Sequence, residues 1–324
     1  MGSPDFAVPC LRALAQRHEV VLVVSQPDKP AGRGGTVTPP PVKVAAIALG
    51  IPVVQPRSAR NGELRDVLLA SGAELAAVVA YGKILPADVL TALPRGCINV
   101  HASILPKYRG AAPVQWSVIH GETETGVDVM QLDEGMDTGP VLLEARTTIG
   151  PEETAGELLG RLSAIGAAAL LETIADLALG RAAPVPQNHD QATHAPMLQK
   201  SDGVIDFARA AAAVAARIRG VDPWPGAQVV LRGQPMKLFR AVPEPASTTT
   251  ATPGTVVAID AAGLHVACGE GAVVIREVQA AGKKRMAATV FATGRGIAVG
   301  DVLGTPAVEA PAVTPVVTPV VTPG

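Results

Sequence analysis

Aromatic side chains are nearly missing from this chain, with two Trp, two Tyr and four Phe in 324 residues. Its cores must therefore be built of Ala, Val, Leu and Ile, which the 48% hydrophobic content supplies. Cysteine is just as sparse. Cys10, Cys97 and Cys268 are odd in number, widely spaced and without a Cys-x-x-Cys pair, so neither a disulfide framework nor a zinc site is indicated, and a reducing, cytoplasmic setting is expected. Excess charge of either sign is also absent. A formal net charge of −2 does not announce a nucleic-acid binder, although local basic patches still act on a neutral molecule. No signal-peptide pattern and no run of 18 or more apolar residues is evident, so no membrane partner is expected. At this length two domains are expected.

What is present centres on Cys97-Ile98-Asn99-Val100-His101, a strand-like run that enters the proline-braced turn from Ala102 to Pro113. Alternation puts Cys97, Asn99 and His101 on one face. An amide and an imidazole thus stand side by side at the C-terminal end of a strand, where open α/β sheets bind ligands. A second candidate element is Asp133 to Gly139, a carboxylate-bearing turn between the strand-like runs 127–132 and 141–149.

Along the chain, Ser3-Pro4-Asp5 reads as a helix start with Ser3 as cap. A helix opening an α/β domain normally follows a strand, and only Met1 and Gly2 stand before this one, so the pattern implies a strand that the sequence does not contain. Residues 18–25 read as a buried parallel strand. The loop from Gln26 to Pro40 is long, and from spacing alone reads as a flexible surface loop rather than a basic finger carrying Lys29 and Arg33. A β-α-β rhythm then continues through strands at 51–55 and 74–81. Thr154-Ala155-Gly156-Glu157 is a capping box that opens a helix to Leu179, ended by Gly180. Residues 181–204 lack periodicity and read as a linker. Asp206 is expected to cap a helix over 207–219, followed by five strand-like runs that suit a small OB-like barrel. Lys283, Lys284 and Arg285 lie beyond its last expected strand. From residue 305 the chain is a low-complexity tail repeating Val-Thr-Pro-Val. The expected architecture is a doubly wound, mostly parallel α/β sheet over 1–180, the linker, a barrel domain over 205–304, and the tail.

Asn, His and Asp together suit attack on a carbonyl. Amide and imidazole stabilise oxyanion charge, and a carboxylate orients the imidazole or relays a proton. No serine or cysteine nucleophile is evident, which favours direct acyl transfer to an outside nucleophile. The blander alternatives are a structural His101 at a strand end and an Asp137 that merely caps a turn. Asp128, Asp133, Glu134 and Asp137 lack EF-hand spacing, and no metal is expected.

Several blocks resemble one family in order and content: Pro4 to Pro9, Gln26 to Gly34, Val79 to Pro86, Asn99 to Pro106, Arg109 to Pro113, Met136 to Gly139 and Pro223-Trp224-Pro225. The chain resembles the methionyl-tRNA formyltransferases from its start to about residue 304. The resemblance implies a formyltransferase-like Rossmann domain with a tRNA-binding barrel. It implies transfer of formyl from 10-formyltetrahydrofolate, as co-substrate, to the α-amino group of methionine on initiator tRNA, for translation initiation. It makes Asn99, His101 and Asp137 the catalytic trio, with Ser103, Ile104, Leu105, Pro106, Tyr81, Ile84 and Leu85 around the folate. Lys29, Arg33, Lys283, Lys284 and Arg285 become tRNA contacts, and the protein is expected to be a monomer. Two departures stand out. The family carries a hydrophobic strand ahead of Gly2, whose absence is expected to forfeit about 6 to 12 kcal/mol for four aliphatic side chains, and the natural start is expected to lie upstream. Gly35 and Thr36 also stand where basic residues occur, which weakens the expected grip of that loop on tRNA. The competing readings are a glycinamide ribonucleotide-type formyltransferase, against which the loop and the barrel count, and a non-catalytic RNA-binding protein, against which the trio counts.

Overall fold

The structure, a computed structural model, describes residues 1–31, 35–244 and 250–306. Arg33 and the Val-Thr-Pro repeats lie outside the described residues. A short 3-10 turn, Asp5–Ala7, leads into α1 (Val8–Arg17). Ser3 does not cap it; its Oγ instead accepts the Gln26 N–H at 3.1 Å. Then come β1 (Val23–Val24), the hairpin β2 (Lys29–Ala31) and β3 (Thr36–Thr38), α2 (Pro41–Ala48), β4 (Val53–Val54), α3 (Glu63–Ala70), β5 (Ala76–Val78) and α4 (Ala87–Leu90). The first domain continues with β6 (Cys97–His101), β7 (Arg109–Gly110), α5 (Pro113–Ile119), β8 (Glu124–Gln131), β9 (Val141–Thr148) and α6 (Ala155–Ala178).

β6 is buried along its whole length and pairs parallel with β5 on one side. On its other side the sheet turns antiparallel, through β8 and then β9. The expected capping box opens α6, with Thr154 and Glu157 each satisfying the other's backbone N–H. This 24-residue helix is long and apolar enough, by length and composition, to cross a membrane. It lies against the sheet with Leu158, Leu162 and Leu170 fully buried, and close approach is possible because Gly166 faces Val100, where a Cβ would come within 2.8 Å.

The sheet is split. β1 pairs only with β4, and between this pair and β5 lies a cavity of about 480 Å³ lined by Val20, Leu22, Val24, Leu75 and Ala77. Met1 and Gly2 enter its end like the last residues of a strand. Gly2 N–H donates to Val24 O and Val79 N–H donates to Met1 O, both at 2.9 Å. The Met1 ammonium donates to Ala77 O at 2.6 Å inside the protein, and burial pushes its pKa down to about 6. The strand expected over 18–25 is reduced to Val23–Val24, which pairs with β4 on one flank and faces the cavity on the other.

Residues 181–204 are more than a tether. Val185 pairs with Val141, and β10 (His194–Ala195) pairs parallel with β7. Periodicity could not reveal this, because each contact spans only one or two residues. In the second part α7 (Ala211–Gly220) begins four residues later than expected, since Asp206 caps a turn at Ala208 N–H instead. β11 (Ala227–Leu231), β12 (Gln234–Glu244), β13 (Val256–Asp260), β14 (Gly263–Ala267) and β15 (Ala272–Ala280) match the five expected strands. β16 (Met286–Ala287), α8 (Ala288–Thr293) and β17 (Leu303–Gly304) were not anticipated, so Lys283 to Arg285 sit in a turn between strands rather than beyond the last one. The sheet runs β13-β14-β15-β12-β11-β17, and a bridge from Thr255 to Val302 brings its two ends together into a barrel-like curl. Its core reaches Ile119 of α5, and Arg240 to Glu157 and Arg276 to Glu152 ion pairs tie the two parts together.

Candidate active site

Asn99 and His101 project from one face of β6 and are almost fully buried. His101 Nε2 lies 2.9 Å from Tyr108 O. A carbonyl only accepts, so Nε2 carries a proton and donates it there. Proton exchange by this imidazole is thereby confined to Nδ1, which stands 3.7 Å from Asp137 Oδ2. The Asn99 amide has no hydrogen-bond partner among the described residues, which leaves its donors free for a bound molecule.

Asp137 sits in the left-handed backbone region, at φ 55°, a conformation that short polar side chains tolerate. Three contacts over-determine it. Its Oδ2 accepts the Gly110 N–H at 2.8 Å, and Gln187 Nε2 donates to Asp137 O at 2.9 Å and to Gly139 O at 2.7 Å. Gln187 is in turn oriented by Arg109, whose Nε and Nη2 donate to Gln187 Oε1 at 3.1 and 2.6 Å. Glycine is required at 110, where φ is 118° and a Cβ would come within 2.8 Å of Ala195 O. Thr193 adds to the clamp by accepting the Tyr108 N–H on Oγ1 at 2.8 Å.

The turn from Ser103 to Pro106 leaves β6 beside these groups. Ser103 Oγ donates to Lys107 O, Leu105 N–H donates to Asp128 Oδ2 at 2.7 Å, and Ile104 packs over Gly126. The β5 to α4 loop, carrying Tyr81, Ile84 and Leu85, leaves the neighbouring strand at the same end of the sheet. Tyr81 and Leu85 are buried in an aliphatic cluster with Leu64 and Val89, while Ile84 is exposed. Lys29 is exposed on the β2–β3 hairpin, whose base is fixed by Asp28 accepting from Lys43 and Gln55. Those bonds hold the Asp28 carboxyl below its ordinary range. Lys283 and Lys284 are exposed, whereas Arg285 is occupied by Glu277 and Asp222 and lies 4.1 Å over the Phe239 ring.

Burial raises the thiols of Cys10 to about 12 and of Cys97 and Cys268 to about 11, which leaves no reactive thiolate. Among the described residues no three His, Cys, Asp or Glu side chains gather as a metal site. Gln187 and Thr193 stand beside the candidate trio without a site signal in the sequence, and Arg109 is legible only as part of the Arg109 to Pro113 block. Gln187 carried no periodic signal, being one polar residue in a Pro-rich stretch. Asp128 is more than a rejected cation candidate, since a carboxylate inside the apolar run Val127 to Met130 is itself a signal.

Comparison with known proteins bears on the family and the fold. The formyl transferase family model matches residues 1–174, and the model of the formyl transferase C-terminal domain matches 197–296. Methionyl-tRNA formyltransferase of Desulfotalea psychrophila is 49% identical over 307 residues, 94% of this chain and 94% of its own. That of Sorangium cellulosum is 49% identical over 304 residues, 94% of this chain and 98% of its own. Among solved structures, the N-formyltransferase of Helicobacter canadensis in complex with folinic acid and dTDP-3-aminofucose superposes with a TM-score of 0.65 at 15% identity, covering 88% of this chain and 97% of that one. HypX of Aquifex aeolicus with tetrahydrofolic acid gives 0.55 at 17% identity, covering 77% and 43%. These two likenesses concern the fold.

Proposed function

The chain belongs to the methionyl-tRNA formyltransferase family, and from that premise we propose that Asn99, His101 and Asp137 carry formyl transfer from 10-formyltetrahydrofolate to the α-amino group of methionyl initiator tRNA. The observation that carries the assignment is the free Asn99 amide beside an imidazole whose only exchangeable position faces a carboxylate. An α-amino group with a pKa of about 8 or lower keeps a sizeable neutral fraction, about a fifth or more, at cell pH, so it attacks without a strong base. Charge then develops on the formyl oxygen. Asn99 donates to that oxygen, and the positive charge of protonated His101, whose Nε2–H is held by Tyr108 O and whose Nδ1–H faces Asp137, favours the developing anion through space. Asp137 stabilises the imidazolium at Nδ1 and takes part in moving the amine proton toward the departing folate nitrogen.

The folate co-substrate supplies an activated formyl group, and the residues around Asn99 fit its needs. Leu105 and Ile104 offer apolar surface, the 103–106 turn offers backbone groups, and the buried cluster at Tyr81 and Leu85 walls the neighbouring loop. For the tRNA, Lys29 on the hairpin and Lys283 and Lys284 on the barrel are the groups assigned to phosphate contacts, since backbone recognition needs only local positive charge. Arg33 is assigned with them from the sequence alone. Arg285 is engaged by two carboxylates and a ring, so its assigned role is to brace the turn that carries the two lysines. We assign the enzyme to the cytoplasm as a monomer.

The test is His101→Ala assayed for turnover and for folate binding separately. Turnover should fall by about a hundredfold or more, the usual scale for losing a general acid–base group, with folate affinity within a few-fold of normal. Near-normal turnover would remove His101 from the mechanism.

A further inference from the structure

Asp128 has no place in the mechanism above, yet it is a buried carboxyl with an unpartnered oxygen. It is fully buried in the middle of β8, directly under the 103–106 turn. Its Oδ2 accepts the Leu105 N–H at 2.7 Å, while its Oδ1 has no hydrogen-bond partner among the described residues. Ile104 rests on Gly126, two residues away on the same face, so two consecutive turn residues lie on this one strand segment.

The charged neighbours are committed elsewhere. Across β6 the residue opposite is His101, whose Nε2 is held by Tyr108 and whose Nδ1 faces Asp137. Across β9 the residue opposite is Glu144, a like charge. Arg146 on that strand gives its guanidinium to Glu144 at 2.6 Å and Glu124 at 3.1 Å. On the turn itself, Lys107 pairs with Glu122. Among the described residues none of these cations makes an ion pair with Asp128.

We propose that Asp128 is a proton-dependent latch on the folate turn: as the neutral acid it holds the Leu105 backbone closed against β8, and on ionisation it releases that backbone to water. The proposal rests on the reading of residues 103–106 as part of the folate site. The neutral acid keeps an acceptor for Leu105 N–H at little cost of burial. The carboxylate is a buried charge with one hydrogen bond and a like-charged neighbour, and the cheapest relief is to lift the turn and hydrate. Burial, aided by Glu144, pushes the Asp128 pKa up to about 7 against the partial offset of the Leu105 hydrogen bond and Arg146, which puts the transition in the physiological range. Asp128 is thus a positioning residue, acting through the turn rather than on the reacting atoms.

Hydrogen exchange of the 103–108 segment in the free protein tests this, corrected for intrinsic chemistry between pH 6 and 8.5. Wild-type protection should fall about tenfold as pH rises, the equivalent of one pKa unit of coupling. Asp128→Asn, which keeps a side-chain oxygen for Leu105 N–H, should change less than twofold over that range. A flat wild-type profile, or an equal fall in the variant, overturns the latch; if the variant fails to fold, the wild-type profile alone decides. The dissociation constant of 5-formyltetrahydrofolate over the same range is the second readout, expected to weaken about tenfold in wild type and less than twofold in the variant. Binding with pH-independent affinity in wild type also overturns the proposal. No folate binding at any pH, with the exchange difference intact, upholds the latch and overturns the folate reading instead.

Discussion

His101 Nδ1 and Asp137 Oδ2 face each other across 3.7 Å, and that same carboxylate oxygen is anchored by Gly110 N–H at 2.8 Å. The carboxylate is therefore fixed by backbone before any substrate arrives, and a modest approach of the ring completes the pair. Asp137→Asn retains the acceptor for Gly110 but removes the charge that stabilises the imidazolium. It should lower kcat by about 10² to 10⁴ with the folate KM within threefold of wild type. Steady-state kinetics at saturating tRNA separates the two parameters.

Gln187 is the link between a buried Arg109 and the Asp137 backbone. Gln187→Ala leaves two carbonyls without their donor and Arg109 with His189 alone, at a cost of about 1 to 3 kcal/mol in stability. Because Asp137 loses one of its restraints, kcat should fall about tenfold while folate affinity stays near normal. Paired measurements of Tm and kcat check both effects.

The contrast between these two residues shows what the sequence made legible. Asn99, His101 and Asp137 stand in strand and turn patterns with a local signature, and alternation alone brought Asn99 and His101 to one face. The five barrel strands and the Thr154 capping box were equally local. Gln187, Thr193 and the β7–β10 pairing depend on a chain segment some 80 residues from its partner, and one-residue contacts leave no period to read. The helix start at Ala211 was misplaced for a related reason, since Asp206 caps a turn as readily as a helix. The antiparallel turn after β6 was also hidden, because buried strands of either sense are apolar runs.

The cavity beside β1 predicts a response to chain extension. Joining four or five apolar, β-favouring residues to Met1 would continue its path between Val20–Val24 and Leu75–Val79. Burying about four aliphatic side chains contributes about 6 to 12 kcal/mol, offset by about 1 to 2 kcal/mol of backbone ordering per residue. A Tm rise of several degrees is expected, and an unchanged Tm would contradict the reading of the cavity as a strand slot. The extension should also remove a pH step. The folded Met1 ammonium titrates at about 6 and the unfolded one at about 8, so the unfolded chain binds more protons between those values and stability rises with pH by about 3 kcal/mol. Urea midpoints at pH 6 and 8 should lose that contribution once the ammonium is moved out of the protein.

Lys283 and Lys284 give a different kind of prediction. Both are exposed in the turn between β15 and β16, while Arg285 beside them is held by Glu277 and Asp222. Replacing both lysines by Ala should weaken tRNA binding and reduce the slope of log affinity against log salt by about 1 to 2, with no loss of Tm. An unchanged slope would make them a solvated turn.

The most direct test of the whole account is formyl transfer from 10-formyltetrahydrofolate to three acceptors in parallel: methionyl initiator tRNA, methionyl elongator tRNA and glycinamide ribonucleotide. The account predicts transfer to the initiator alone, abolished by His101→Ala. Transfer to glycinamide ribonucleotide in preference to the charged tRNA, or none to the initiator by a protein that binds folate, would contradict it.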